Sequence, residues 1–166
     1  MPLELLIKKA PASPEQKRFW QQVDLLADRV LAYQEKQTPV LLRFLWEMDI
    51  PSAVFWWGSR DPENFAALWR EVVNHLRGQR GVRNALFVFS PAGSNRDTGI
   101  SESAYYPGDE VVDLVALTAY SDRFSDDTNE KTAEILRCYR AMRKVAPSQP
   151  IGFAEVGPQA PESVYD

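Results

Sequence analysis

The chain has 166 residues with a formal net charge of −4, 45% hydrophobic and 25% charged side chains, the composition of an ordinary globular domain with enough apolar material for a core. No dense Lys/Arg block accompanies this acidic balance, so nucleic acid and anionic membrane are not expected as partners, and neutral ligands fit better. One cysteine, Cys138, and one histidine, His75, exclude a disulfide framework and leave a zinc site or a Ser-His-Asp triad without support. Cys138 is expected as a buried small residue and His75 on a helix surface, with no metal or cofactor. No apolar stretch approaches the ~20 residues of a membrane span. In the first nine residues the basic side chains follow the apolar ones, the reverse of a signal peptide, so this chain is expected to carry no export signal.

In chain order, Leu3 to Ile7 offers only a weak strand signal. Ser13-Pro14-Glu15-Gln16 is a helix start, with a capping hydroxyl and proline at the first helical position. Phe19, Val23, Leu26, Val30 and Tyr33 then form one apolar stripe ending before Thr38-Pro39. A strand follows from Pro39 to Trp46; its run Val40 to Leu45 is apolar except for Arg43, as in a strand buried on both faces, and it ends at the carboxylate Glu47. An aromatic loop with Phe55-Trp56-Trp57 leads to Asp61-Pro62-Glu63, a second cap, and to a helix whose buried face is Phe65, Leu68, Val72 and Leu76, stopping near Gly78 to Gly81. Ala85 to Phe89 reads as a buried strand, and Ala92 to Glu110 as a long polar loop presenting Tyr105 and Tyr106. Val111 to Tyr120 is the next strand, ending at Ser121 and Asp122. A third helix begins near Asp127 to Glu130 with Ile135, Tyr139 and Met142 as its stripe, and the last strand, Ile151 to Ala154, runs into Glu155 before a proline-containing tail.

This alternation of helices and strands implies an α/β fold with parallel pairing and right-handed crossovers. Glu47 and Glu155 both follow strand carboxyl ends and therefore open onto one end of the sheet, where ligands sit in parallel α/β proteins. Two carboxylates across a site rich in tryptophan and tyrosine suit glycosidic bond cleavage, one protonating the leaving oxygen and the other, ~5 to 5.5 Å away, attacking the anomeric carbon. The plainer alternative is a solvated glutamate at a strand end beside core tryptophans. Asp49, Asp109 and Asp113 read as turn or cap residues, and Asp122 lies nearest the site face.

The words of the sequence say more. Arg43 with Glu47-Met48-Asp49, Phe55-Trp56-Trp57-Gly58, Leu68-Trp69-Arg70, Ser90-Pro91, Tyr105-Tyr106-Pro107-Gly108-Asp109, Val112-Asp113 and Ala119-Tyr120 resemble, in order and spacing, glycoside hydrolase family 26, the β-mannanase family. The resemblance implies a (β/α)8 TIM barrel of which this chain carries strands four to seven, since a complete barrel takes ~250 residues. Residues 1–166 are then one incomplete catalytic domain, a half barrel whose partner is the missing barrel strands or a second copy. It implies endo-β-mannanase-like, retaining hydrolysis of β-1,4-mannan or a related β-glycan, polysaccharide or oligosaccharide, with Glu47 as acid/base and Glu155 as nucleophile. Trp56, Trp57 and Tyr120 match the family's sugar contacts, and Arg43, Trp46 and Tyr105 complete the candidate substrate-binding set. The chain departs from the family's His-Glu-Met-Asn-Gly word at Trp46, Asp49 and Ile50, and from its strand-six aspartate at Thr118. A degenerate, non-catalytic carbohydrate-binding domain is the alternative these departures raise.

Overall fold

Helix α1 spans Pro14–Gln34 and starts as its sequence dictates: Ser13 is extended and its hydroxyl accepts from the Gln16 amide at 3.1 Å, with Pro14 inside the first turn. The Gln16 side chain does not close a reciprocal capping box but donates to the Ile7 carbonyl at 2.5 Å, and Trp20 Nε1 donates to the Leu6 carbonyl at 2.9 Å. These two bonds hold the amino-terminal segment, which is a 3-10 turn over Leu3–Leu5 rather than the weak strand expected there. The reason lies in spacing: Leu3 and Leu6 are both buried, and positions three apart eclipse in a 3-10 turn, whereas a strand would send them to opposite faces. The computed structural model describes residues 2–7, 13–51, 53–92, 100–120 and 128–157.

Four strands follow, β1 (Val40–Leu42), β2 (Ala85–Phe89), β3 (Leu114–Tyr120) and β4 (Ile151–Gly157). They pair in chain order, all parallel, and curl into a half-barrel with α1, α2 (Pro62–Asn74) and α3 (Thr128–Val145) on the convex side. Leu42, Phe87, Phe89, Val115 and Leu117 face those helices and meet Trp20, Val23, Phe65, Trp69, Val72 and Met142 in one core. Alternation along the strands sends Leu41 and Leu86 to the concave side, where they are 64% and 47% exposed. The expectation of a strand buried on both faces is thus corrected: β1 is covered by helices on one side only, and its regular part is short, ending at Leu42.

The remaining differences have local causes. Helix α2 buries Phe65, Leu68 and Val72 as read, then widens into a π-helical turn over His75–Gln79 that also buries Leu76. His75 is not a surface residue: it is buried, its ring 5.1 Å from that of Trp20, with Nε2 donating to Asp24 Oδ1 at 2.7 Å and Nδ1 2.8 Å from Gln79 Oε1. Among the described side chains of α3, Met142 is fully buried as expected, whereas Tyr139 is 40% exposed and its neighbour Cys138 takes the buried place. Cys138 is buried as expected, and burial pushes its thiol well above the usual range. The expected loop from Ala92 holds a 3-10 turn at Glu102–Tyr105 whose fully buried Glu102 is bonded by Arg137 Nη1 at 3.0 Å. The expected helix start at Asp127, the tail beyond Gly157, and Asp122 lie outside the described residues.

The hydrogen bond from His75, together with the Arg80 guanidinium 2.6 Å away, holds the Asp24 carboxyl below the ordinary carboxylate range. A carboxylate depressed in the folded state stabilises at pH values above its unfolded value of ~3.9, and that contribution disappears as pH falls through the lower folded value. Asp24→Asn is therefore expected to lower the unfolding free energy measured by urea titration at pH 7 by no more than about 1 kcal/mol, since the side chain is 43% exposed. The gap between the two proteins should close as the medium is acidified below about pH 4; a gap that persists there would show that Asp24 acts by packing alone.

Candidate active site

The chain leaves regular strand geometry immediately after Leu42, and the next fifteen residues build one wall of a cleft at the carboxyl ends of the strands. Leu45 and Glu47 both adopt left-handed backbone angles, with φ of 48° and 52°. Such conformations cost non-glycine residues about 1–3 kcal/mol each and persist where the surroundings over-determine them. Here they do. The Glu47 amide donates to the Ser90 carbonyl at 2.7 Å, Ser59 N to the Met48 carbonyl at 2.7 Å, Ser59 Oγ to the Ile50 carbonyl at 2.7 Å, and Trp57 Nε1 to the Trp46 carbonyl at 2.8 Å. Met48 and Asp49 are fully buried, and Asp49 Oδ1 accepts the Ala92 amide at 2.7 Å, tying this wall to the end of β2. Asp49 is thus a cross-strand tether more than the turn residue its sequence suggested.

Gly58 closes the same wall at close quarters. A Cβ placed on it would lie 2.4 Å from the Ile50 carbonyl oxygen, a backbone atom that cannot swing aside. Gly58→Ala is expected to cost about 1–3 kcal/mol, the usual range for overpacking, and to lower Tm by several degrees. An unchanged Tm would mean that the loop rearranges freely, contrary to its dense hydrogen bonding.

Glu47 itself is 5% exposed. The opposite carboxylate, Glu155, reaches the cleft by a register shift. Leu117 pairs with Phe153 on the convex side, and the next pair is Thr118 with Glu155, so Ala154 is the extra residue of a bulge. Without that residue, strict alternation would put Ala154 beside Thr118 and turn Glu155 toward the outside. Glu155 lies within β4, two residues before its end at Gly157, and not after the strand as expected.

Arg43 joins the two halves. Its Nε donates to Ser90 Oγ at 2.8 Å, its Nη1 is ion-paired with Glu155 Oε1, and its Nη2 lies 3.5 Å from Thr118 Oγ1. Residues from all four strand ends therefore meet: Arg43 after β1, Ser90 after β2, Thr118 in β3 and Glu155 in β4. Because Ser90 also accepts the Glu47 amide, one continuous network spans Glu47, Ser90, Arg43 and Glu155. The side chains of the ion pair are 23% and 30% exposed, so the charges are partly desolvated and still reached by solvent.

The aromatic candidates do not share one location. Trp46 lies beside the network, its ring 5.7 Å from the Arg43 guanidinium, and packs edge-on against Phe55 and Trp57, which stack on each other at 4.7 Å. Trp56 turns away from them, perpendicular to Trp57, and meets Phe19 of α1 at 6.3 Å. Tyr105 is not at the cleft: it is fully buried, edge-on to Phe65 at 5.6 Å, and burial with nearby Asp49 and Asp61 pushes its hydroxyl up to about 12. Tyr106 bonds Asp109 through its hydroxyl at 2.7 Å and packs on Phe89. Tyr120 ends β3, paired with Gly157, but its side chain lies outside the described residues.

Sequence reading passed over Ser90 and Asp49 as site-building residues. The available signal was position: Ser90 is the first polar residue after the apolar strand β2, as Glu47 follows that of β1.

Comparison with known proteins places these features in context. Residues 4–154 match the model of the family described as glycosyl hydrolase family 26. A mannan endo-1,4-beta-mannosidase of Bacillus subtilis strain 168 is 29% identical over 161 residues, covering 92% of this chain and 40% of that protein. Mannan endo-1,4-beta-mannosidase A and B of Caldalkalibacillus mannanilyticus is 31% identical over 158 residues, covering 90% of this chain and 27% of that protein. Among solved structures, a GH26A protein of a Muricauda species superposes with a TM-score of 0.74 at 26% identity, over 97% of this chain and 50% of that one. The chain thus spans about half or less of the length of the relatives it matches.

Proposed function

The chain belongs to glycosyl hydrolase family 26, and from that premise we propose that its cleft carries the catalytic wall of a retaining β-glycosidase acting on β-1,4-mannan or a related β-glycan. The observation that supports this reading most is the network running from Glu47 through Ser90 and Arg43 to Glu155 across four strand ends. The names of the relatives, mannan endo-1,4-beta-mannosidases, support the choice of mannan.

In the first step the Glu155 carboxylate attacks the anomeric carbon as the bond to the leaving sugar breaks, and the Glu47 carboxyl gives its proton to the departing oxygen. In the second, Glu47, now a carboxylate, takes a proton from water as that water attacks the glycosyl ester and releases Glu155. Arg43 is a positioning residue: its Nη1 holds Glu155 Oε1 while Nε and Nη2 fix the guanidinium on Ser90 and Thr118. Trp46 and Trp57 offer apolar faces for sugar stacking beside the carboxylates. The half-barrel is proposed as one incomplete domain, completed by further barrel strands or by a second copy on its open concave side, where Leu41 and Leu86 are exposed.

The test is proton NMR of mannohexaose with the chain. The β-anomer appearing first at the new reducing end is the expected result. An α-anomer appearing first would overturn the retaining assignment. Tight binding without any cleavage favours the second reading, a non-catalytic glycan binder, which the indole of Trp46 supports because it places no titratable group beside Glu47.

A further inference from the structure

Helix α1 carries a second stripe besides the one it buries. Gln16, Trp20, Val23, Ala27 and Val30 face the core, whereas Glu15, Arg18, Phe19 and Gln22 follow the same three-and-four spacing on another face. Against this second stripe lies Trp56, the tryptophan that turns away from the central cluster, and the five residues line an open cleft of about 390 Å3. That volume is within the ~300–1,000 Å3 of small-molecule sites. The cleft also lies at the right end of the molecule. Because α1 runs into β1 through a short turn, its first turns stand at the carboxyl ends of the strands, which the contact between Phe19 and the loop after β1 demonstrates.

Its chemistry is two-sided. Trp56 and Phe19 provide an aromatic floor, while Glu15, Arg18 and Gln22 are exposed and bring a carboxylate, a guanidinium and an amide to the rim. A pyranose ring is two-sided in the same way, with C–H faces that stack on indole and equatorial hydroxyls that bond to such groups. The loop that presents Trp56 is braced, since Arg60 Nε donates to the Trp56 carbonyl at 2.8 Å. Trp56 and Trp57 are adjacent with rings 5.4 Å apart, so a glycan leaving the central cleft over Trp57 arrives at Trp56 next.

We propose that Trp56 and the Glu15, Arg18, Phe19 and Gln22 stripe of α1 form a distal subsite for the outer sugars of a β-glycan whose inner sugars occupy the Glu47 and Glu155 cleft. This rests on the glycan reading of the central cleft, and it assigns α1 a binding role that the catalytic pair does not need. The experiment is calorimetric titration of the full chain with mannotriose, long enough for the central cleft, and with mannohexaose, long enough for both. Glu155→Gln serves as the common background so that neither ligand is cleaved. Trp56→Ala is expected to weaken mannohexaose about tenfold, the scale of one lost aromatic contact, and to leave mannotriose unchanged. Arg18→Ala with Gln22→Ala, both at exposed helix positions, guards against misfolding of the tryptophan variant and should act in the same direction. Unchanged mannohexaose affinity in both variants would overturn the subsite while the central reading stands. Equal weakening of both oligosaccharides would overturn it too, because Trp56 would then be shaping the central cleft. A background chain that binds neither sugar defeats the central reading itself, and the subsite with it.

Discussion

Glu155→Gln is expected to abolish turnover of mannan while leaving oligosaccharide affinity within a few-fold of the unaltered chain. Under the proposed retaining mechanism the amide, which has the shape of the carboxylate but cannot form the glycosyl ester, leaves the first chemical step without a nucleophile. Glu47→Gln removes only the proton transfer, which contributes on the order of 10²–10⁴ in rate. The two variants should therefore separate when the leaving group changes. With an activated aryl mannoside, whose leaving oxygen needs no protonation, Glu47→Gln should regain much of the first step and Glu155→Gln none of it. The carboxylate environments fit this division, since Glu155 is paired with Arg43 and Glu47 is enclosed at 5% exposure. Equal losses on both substrates would remove the distinction between acid and nucleophile, and no loss in either variant would leave only a binding module.

The architecture was legible in the chain because it rests on periodicity. Pro14, Pro62 and the apolar runs at Val40 and Ala85 mark helix starts and strands, and their alternation leads to parallel pairing in chain order. What escaped depends on contacts that periodicity cannot carry. His75 sits on a helix whose pattern leaves its neighbours ambiguous, and only the packing of α1 against the π-helical turn buries it beside Asp24. Tyr105 and Tyr106 look alike in sequence, yet the 3-10 turn drives one ring into the core and leaves the other at the rim.

The site was partly legible for a related reason. Glu47 and Glu155 stand out as carboxylates at the ends of apolar runs. Their common facing is another matter, because it depends on the bulge at Ala154, and a one-residue shift in register is invisible to composition. The left-handed angles at Leu45 and Glu47 are similarly silent in the sequence, where glycine or asparagine would have signalled them. Neither residue is suited to that conformation. The strain is held by Ser59, Trp57 and Asp49, whose bonds reach across the loop and to β2.

Arg43 is where the largest structural and chemical consequences coincide, and its replacement is the second strong prediction. Arg43→Met keeps an unbranched apolar stem but removes the guanidinium that lies over the Trp46 ring and, with it, every donor. Ser90, Thr118 and Glu155 then lose their common partner, and Glu155 keeps a partly desolvated charge with its cation gone. Mispositioning of about 1 Å in a reacting group costs around 10²-fold, so kcat on mannan should fall about 100-fold with KM changed far less. Arg43→Lys separates charge from geometry: it restores a cation near Glu155, but one ammonium cannot hold Ser90, Thr118 and Glu155 in a planar fork. Partial recovery, about tenfold on the scale of a single charged hydrogen bond, is the expected outcome for lysine. A full recovery would mean that Arg43 acts through charge alone. A fall confined to KM would move Arg43 from positioning the nucleophile to holding the sugar.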